Sequence, residues 1–157
     1  MIKLLIMLTS LCLASLAFAQ GYDRKDFNYR SYKPNTPIGF YTNQTCDFIN
    51  IDHFVSLKDA YDSGAASWSE SRKQALANDR SNHVPPCGRV NSSKGSAGPK
   101  DFLRRSNDGK GLEYEIVRFC EYVQRYYAVK VRYGLSFEAS DSATLEQCGV
   151  SVSQGAG

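Results

Sequence analysis

Five polar residues in the middle of the chain have types and an order that suit metal-assisted hydrolysis. His53 directly follows Asp52, Asn91 comes 38 residues after His53, and Asn82 and Lys94 lie nearby. Carboxylate and carboxamide oxygens are ligands for hard divalent cations, and an imidazole titrates close enough to neutral pH to take a proton from water. Cleavage of a phosphodiester needs both functions, because water must be activated and phosphoryl charge neutralised.

Each of these residues also has an ordinary structural explanation. Asp52 can be a cap or turn residue, His53 a hydrogen-bonded core histidine, and Asn82 and Asn91 turn residues. Neighbouring residues of a regular strand point to opposite faces, so Asp52 and His53 can share a site only at a strand end or bend. His83 is a candidate third metal ligand, but a strand histidine satisfied by a backbone group or facing solvent is the favoured interpretation.

Short strands and helices are predicted around these residues. A weak alternation beginning at Cys46 predicts a strand that ends near Asp52, and residues 83–87 predict a second strand, broken by prolines. Residues 57–63 look helical and stop at Gly64. Ser67 and Glu70 match a capping box that opens a helix to about Ala77. Residues 91–99 are expected to form a loop that enters a short helix, with Phe102-Leu103 as its apolar anchor.

The flanking segments complete the predicted organisation. Residues 20–45 lack clear periodicity and are expected to form an extended arm packed on the domain. Residues 106–111 form a polar connector. The strongest helical pattern runs from Leu112 to Tyr133, with apolar residues at steps of three or four and Gly134 at its end. A shorter helix is predicted from about Asp141 to Cys148.

The first 19 residues have the pattern of a secretory signal peptide. Lys3 gives a positive start, an apolar run extends from Leu4 to Leu16, and Ala17-Phe18-Ala19 provides a small-x-small cleavage site. This run is short for a membrane span, so a retained anchor is the minor alternative. We therefore expect a secreted or periplasmic protein without stable membrane association, whose oligomeric state the sequence leaves open.

The remaining cysteines indicate a domain stabilised by disulfides. Loss of the leader leaves Cys46, Cys87, Cys120 and Cys148, an even number in an oxidising compartment. Four cysteines allow three pairings, and the sequence alone does not choose between them. A Cys120–Cys148 bridge would hold the last short helix, and Cys46 would then pair with Cys87 across the two strands. No Cys-x-x-Cys pair is present, which gives a structural zinc site little support.

Basic residues are concentrated around the candidate site. Residues 72–110 contain nine Lys or Arg against three Asp, although the mature chain carries a net charge of only +2 (18 basic and 16 acidic residues). A solvated surface is the ordinary explanation for such a segment. Beside a hydrolytic site, a surface that contacts phosphates becomes more probable, with Arg72 and Arg89 as candidate contacts.

The ordered residues resemble a known enzyme family. They are Asp52-His53-Phe54-Val55-Ser56-Leu57 with Ala60-Tyr61, Ser63-Gly64-Ala65, Ala77-Asn78-Asp79-Arg80-Ser81-Asn82, and Asn91-Ser92-Ser93-Lys94-Gly95 with Gly98-Pro99. This order is similar to that of secreted bacterial HNH (His-Asn-His) endonucleases with a ββα-metal core. The resemblance covers roughly residues 41–148. The chain departs from the family at Ser56, where proline is usual, at Tyr61, where tryptophan is usual, and at Ser96-Ala97, where an acid is common.

The resemblance implies a fold and a role for each candidate residue. It implies an α+β fold with a ββα-metal core over about residues 46–103, added helices, and a helical part over about residues 111–148. His53 would be the general base, Asp52 and Asn91 the metal ligands, and Asn82 the residue that holds the histidine loop. Lys94 would lie near the phosphate. The metal would be Mg²⁺, with Mn²⁺ as the alternative.

These observations predict a secreted, metal-dependent endonuclease of low sequence specificity. Its substrate would be DNA, with RNA open as a second substrate. The alternative is a catalytically silent module that binds nucleic acid or another polyanion and keeps the basic segment and the disulfides. A serine or cysteine hydrolase is disfavoured, since the chain lacks a Gly-x-Ser-x-Gly elbow and its mature cysteines are even in number.

Overall fold

The computed structural model describes residues 21–104 and 115–152, so the predicted signal peptide and the 106–111 connector lie outside the described residues. Within them the fold is mixed α/β: there are six helices and one two-stranded sheet, and two disulfides link distant parts of the chain. This agrees with the expected class and with the predicted disulfides. No helix of the described part is long and apolar enough to cross a bilayer.

Two short strands at the centre carry the histidines. β1 (Asp52–His53) pairs antiparallel with β2 (His83–Val84), with Asp52 opposite Val84. An isolated bridge between Ile49 and Cys87 has the same register, so the two segments stay aligned from residue 49 to residue 53. Counting along this register places Pro85 and Pro86 opposite residues 51 and 50. Because proline has no N–H to donate, the ladder is interrupted there, as the sequence predicted.

Two helices follow β1 and begin at serine caps. α1 (Leu57–Asp62) begins after Ser56, whose Oγ accepts a hydrogen bond from the Asp59 N–H at 3.0 Å. Ser56 thus caps the helix. α2 (Glu70–Asn78) begins after Ser69, which accepts from the Arg72 N–H. The prediction of Ser67 as the cap was wrong, because Ser67 ends a 3₁₀ turn and the extended Trp68 separates that turn from α2.

The segment containing Asn91 is helical, whereas the sequence predicted a loop. α3 (Gly88–Lys94) begins directly after Cys87 and ends at Gly95, which has a φ of +53°. Its polar sequence hides the helix, because only Val90 and the aliphatic stem of Lys94 supply a buried face. The Cys46–Cys87 disulfide holds the start of α3 beside the strand pair. α4 (Pro99–Arg104) then buries Phe102, as predicted for that anchor.

The C-terminal part is a long helix bridged to a short one. α5 (Phe119–Tyr133) ends at Gly134 in the left-handed conformation, which confirms the predicted stop. The predicted start at Leu112 lies outside the described residues, but residues 115–118 are not helical, so the prediction was too long. α6 (Ser142–Gln147) is connected to α5 by the Cys120–Cys148 disulfide, and this pairing and Cys46–Cys87 are confirmed.

Buried aromatic rings join the N-terminal arm to the helices. Tyr41 of the arm, Phe102 of α4 and Tyr122 of α5 are fully buried, with ring centroids 5.1 to 5.6 Å apart. Edge-to-face contacts of this kind stabilise a core beyond the area they bury. The arm also contains a 3₁₀ turn (Arg24–Phe27) whose Phe27 is buried. The arm therefore contributes to the core and places residues 22–24 beside β1.

Candidate functional site

The candidate residues meet at one cavity beside β1. It has a volume of about 580 Å³, and Asp52, His53 and Asn91 contribute to its wall. Asn50, Arg24 of the arm and Lys58 of α1 line the same space. Three residues that the sequence separates by up to 39 positions thus line one cavity, to which two cationic side chains also belong.

Asp52 is held from behind by a buried lysine. The Nζ of Lys94 lies 2.9 Å from Asp52 Oδ2 and donates a second hydrogen bond to the His53 carbonyl oxygen at 3.0 Å. The Asp52 side chain is 14% exposed, whereas that of Lys94 has no exposed surface. Lys94, predicted to lie near the substrate phosphate, thus has its ammonium enclosed and bonded within the protein. The position of the Lys94 ammonium suits a role in orienting the Asp52 carboxylate.

His53 is a neutral, oriented imidazole. Its Nε2 atom lies 2.9 Å from the Ala77 carbonyl oxygen, which can only accept, so Nε2 bears the proton and Nδ1 has the lone pair. The residue is 1% exposed. Burial lowers the pKa of His53 to about 4, although the Ala77 carbonyl and the Asp52 carboxylate act to raise it. His53 is therefore unprotonated at neutral pH, which a general base requires.

His83 lies beside His53 but is fully engaged. Its Nε2 donates to the same Ala77 carbonyl at 2.9 Å, and its Nδ1 accepts from the Tyr32 hydroxyl at 3.2 Å. The two imidazoles meet edge to face with centroids 4.9 Å apart. The structure thus agrees with the favoured interpretation of His83, a strand histidine satisfied by a backbone group, and both of its ring nitrogens are hydrogen-bonded within the protein.

Asn82 holds the chain that follows His53. Its Oδ1 accepts from the Val55 N–H at 2.9 Å, and its Nδ2 donates to the Val55 carbonyl at 3.2 Å. The Asn82 carbonyl also accepts from the Phe54 N–H. The residue is completely buried, so it acts on the bend after β1 and does not touch a substrate. The bend begins directly after His53, the last residue of β1.

The donor atoms at the cavity fit a hard cation held mainly by oxygen. Within residues 21–104 and 115–152 no three His, Cys, Asp or Glu side chains are grouped to hold a metal ion. Asp52 is the one carboxylate among the described residues of the wall, which also include Asn91 and Asn50. Asn50 Oδ1 is buried without a hydrogen-bond partner in this part of the chain. Oxygen donors of this kind, with room for water, suit Mg²⁺ or Mn²⁺.

Three basic residues of the described part of this segment, Arg72, Lys73 and Arg89, do not share one surface. Arg72 lies over the Trp68 ring at 4.1 Å and donates to the Tyr133 carbonyl, and it does not line the cavity. Arg89 borders a different depression, next to the Cys46–Cys87 disulfide. Lys73 is buried, 3.7 Å from Asp26. The structure therefore does not bring the predicted contacts Arg72 and Arg89 to the cavity.

Sequence reasoning missed Arg24, Lys58 and Asn50. Arg24 belongs to the turn capped by Asp23, and this local signal says nothing about its distance from β1. Lys58 forms an ion pair with Asp62, four residues further along α1, and looks from the sequence like an ordinary surface residue. Asn50 could have been noticed as the residue two positions before Asp52, on the same face of an extended segment.

The comparisons with known proteins are sparse. No family model matches the chain, and no solved structure gives a significant match. The chain is similar to an uncharacterized secreted protein from Arthroderma benhamiae, with 33% identity over 99 residues. The match covers 62% of this chain and 44% of that protein, so the chain spans less than half the length of its curated relative. The name of this similar protein says that it is secreted and states no activity.

Proposed function

We propose that the protein is a secreted, metal-dependent endonuclease of the HNH type that cleaves DNA, with RNA as the second candidate substrate. One observation carries the proposal: Asp52, His53 and Asn91 line a single cavity that also contains Arg24 and Lys58. The chain order of β1, β2 and α3 supports a ββα core. Two disulfides, and similarity to a secreted protein, support function outside the cytoplasm.

The side chains divide the work of hydrolysis. A bound Mg²⁺ or Mn²⁺, held by Asp52 and Asn91, would supply charge neutralisation at the phosphate and the leaving oxygen. His53 Nδ1 takes the proton of the attacking water, while the Ala77 carbonyl keeps the ring in the required tautomer. Arg24 and Lys58 attract the phosphate backbone to the cavity. No side chain in this scheme reads a base, which agrees with low sequence specificity.

Two buried residues position the reacting groups. Asn82 fixes the bend at Val55 through a pair of hydrogen bonds, and Lys94 holds one oxygen of Asp52. Such supporting contacts matter because a displacement of a catalytic group by about 1 Å can cost roughly 100-fold in rate. Asn82 and Lys94 are therefore positioning residues.

The burial of His53 favours the alternative, a silent polyanion-binding module. Only 1% of this residue is exposed, and a core histidine bonded to a carbonyl has the same geometry. Cleavage and binding must therefore be measured together.

The test uses oxidised mature protein with supercoiled plasmid and with single-stranded RNA, in Mg²⁺, in Mn²⁺ or in EDTA. The informative variant is His53→Gln, because the glutamine amide can donate to the Ala77 carbonyl and does not titrate. His83→Gln is the matched control at the same carbonyl. We expect metal-dependent cleavage that His53→Gln abolishes and His83→Gln retains. Binding without cleavage in every metal would replace the nuclease with the binding module.

A further inference from the structure

A buried carbonyl oxygen with no hydrogen-bond donor among the described residues belongs to Asn50, a residue of the cavity wall. Asn50 Oδ1 is closed to solvent and has no partner within the described residues, although Asn50 lines the same cavity as Asp52 and Asn91. Buried polar atoms are nearly always satisfied, and an ion or a water is the usual explanation for an exception. The other atoms of this kind belong to residues that do not line the cavity: Tyr29, Tyr41, Asp59 and Tyr122.

The strand register directs Asn50 to the same side as Asp52. The bridge at Ile49 and the pairing at Asp52 share one register, so residues 49–53 run without a slip. Residues two apart on an extended segment lie on the same face. Pro85 and Pro86 stand opposite this stretch and have no N–H to offer. The backbone therefore brings Asn50 and Asp52, which both line the cavity, to one face of this segment.

The low net negative charge at this site means that a cation would bind more tightly with a further oxygen ligand. Asp52 shares its negative charge with the buried Lys94 ammonium, 2.9 Å away. A cation held by Asp52 and Asn91 would thus meet little net negative charge and only two protein ligands. Hard divalent cations take six or more oxygen ligands, and their affinity for a protein depends on the number and charge of the ligands that the protein supplies.

We propose that Asn50 Oδ1 is a third oxygen ligand of the divalent cation, together with Asp52 and Asn91. This inference rests on the proposed function, because it concerns the same cation. It accounts for the unpaired oxygen and for its position two residues before Asp52.

The test measures Mn²⁺ binding directly, by loss of the free aquo-ion EPR signal during titration of the metal-free protein. The variants are Asn50→Ala and Asn50→Asp, with Asn35→Ala as control, because Asn35 is exposed on the arm. Asn50→Ala is expected to weaken Mn²⁺ affinity by about tenfold or more, and Asn50→Asp to strengthen it through its added charge. Asn35→Ala should bind like the wild type, and Asp52→Asn should lose binding.

Thermal unfolding in EDTA separates a ligand from a structural residue. Because Asn50 Oδ1 has no hydrogen-bond partner among the described residues, Asn50→Ala should keep the wild-type Tm in EDTA and lose most of the increase that Mn²⁺ produces. Wild-type affinity in Asn50→Ala would overturn the role of Asn50 and leave the proposed function standing. Absence of Mn²⁺ binding by the wild type would overturn both. If Asn50→Ala does not fold, Asn50→Asp decides, since unchanged or weaker affinity there overturns the inference.

Discussion

Replacing His53 with glutamine should remove much of the acid sensitivity of the metal-free protein. His53 is 1% exposed, its Nε2 donates to the Ala77 carbonyl, and burial lowers its pKa to about 4. In the unfolded chain the pKa of this histidine is about 6.5. Glutamine preserves a donor at the Nε2 position and does not bind a proton in this range, so it isolates the effect of titration.

The sign and size of the effect follow from the two pKa values. Between about pH 6.5 and pH 4 the unfolded chain binds a proton at His53 and the folded chain does not, so acid favours unfolding. The stability associated with neutral His53 is complete above about pH 6.5 and falls as the pH approaches 4. At about 1.36 kcal/mol per pH unit, the full loss is roughly 3 kcal/mol. His83, whose pKa burial also lowers, adds a change of the same sign.

The assay is urea unfolding in EDTA with the disulfides intact, followed by circular dichroism between about pH 7.5 and pH 4.5. Over this range the wild type should lose roughly 2 to 3 kcal/mol more unfolding free energy than His53→Gln. The carboxylates contribute equally to both proteins, so their effect cancels in the difference. His83→Gln should retain the His53 component. Parallel pH dependences for wild type and His53→Gln would refute the lowered pKa and with it the neutral buried imidazole.

Three further predictions test the surroundings of the site. Lys94→Met should lower the unfolding free energy by roughly 3 kcal/mol in urea unfolding, because Asp52 loses its buried partner. It should leave the salt dependence of DNA binding unchanged in a salt titration, and a changed salt slope would contradict the enclosed ammonium. Arg24→Gln should reduce the slope of log affinity against log salt by about one, whereas the exposed Arg125→Gln should not, and equal slopes would exclude Arg24 from phosphate contact. The double variant Cys120→Ser, Cys148→Ser should have a free energy of unfolding lower by roughly 3 to 4 kcal/mol in urea. Unchanged stability would contradict the bridge between α5 and α6.

Local signals in the sequence were sufficient for several elements. α1 stops where Ser63-Gly64 follow it, α5 ends at a glycine in the left-handed conformation, and α6 lies where a short helix was predicted. These features depend on a few neighbouring residues, so the sequence states them directly. The prolines at 85 and 86 likewise predicted the broken second strand, because they lack an N–H wherever they lie.

Other features depended on contacts that neighbouring residues cannot reveal. Ser69 caps α2 in place of Ser67 because the chain from α1 makes a 3₁₀ turn first. Asn91 lies on a helix that begins where the Cys46–Cys87 disulfide holds it, so its polar sequence was misleading. The first difference arises from a turn that the capping pattern does not show, and the second from a covalent bond to a segment distant in sequence.

For the candidate site, the sequence by itself determined which chemical groups are available, and the tertiary structure decided which of them meet. The order of Asp52, His53, Asn82 and Asn91 indicated a hydrolytic site before any geometry was known. In the folded protein Lys94 is buried and paired with Asp52, and folding of the arm brings Arg24 to the cavity. The physical reason is that side-chain chemistry is a property of each residue, whereas exposure, pKa and partner are properties of the space around it.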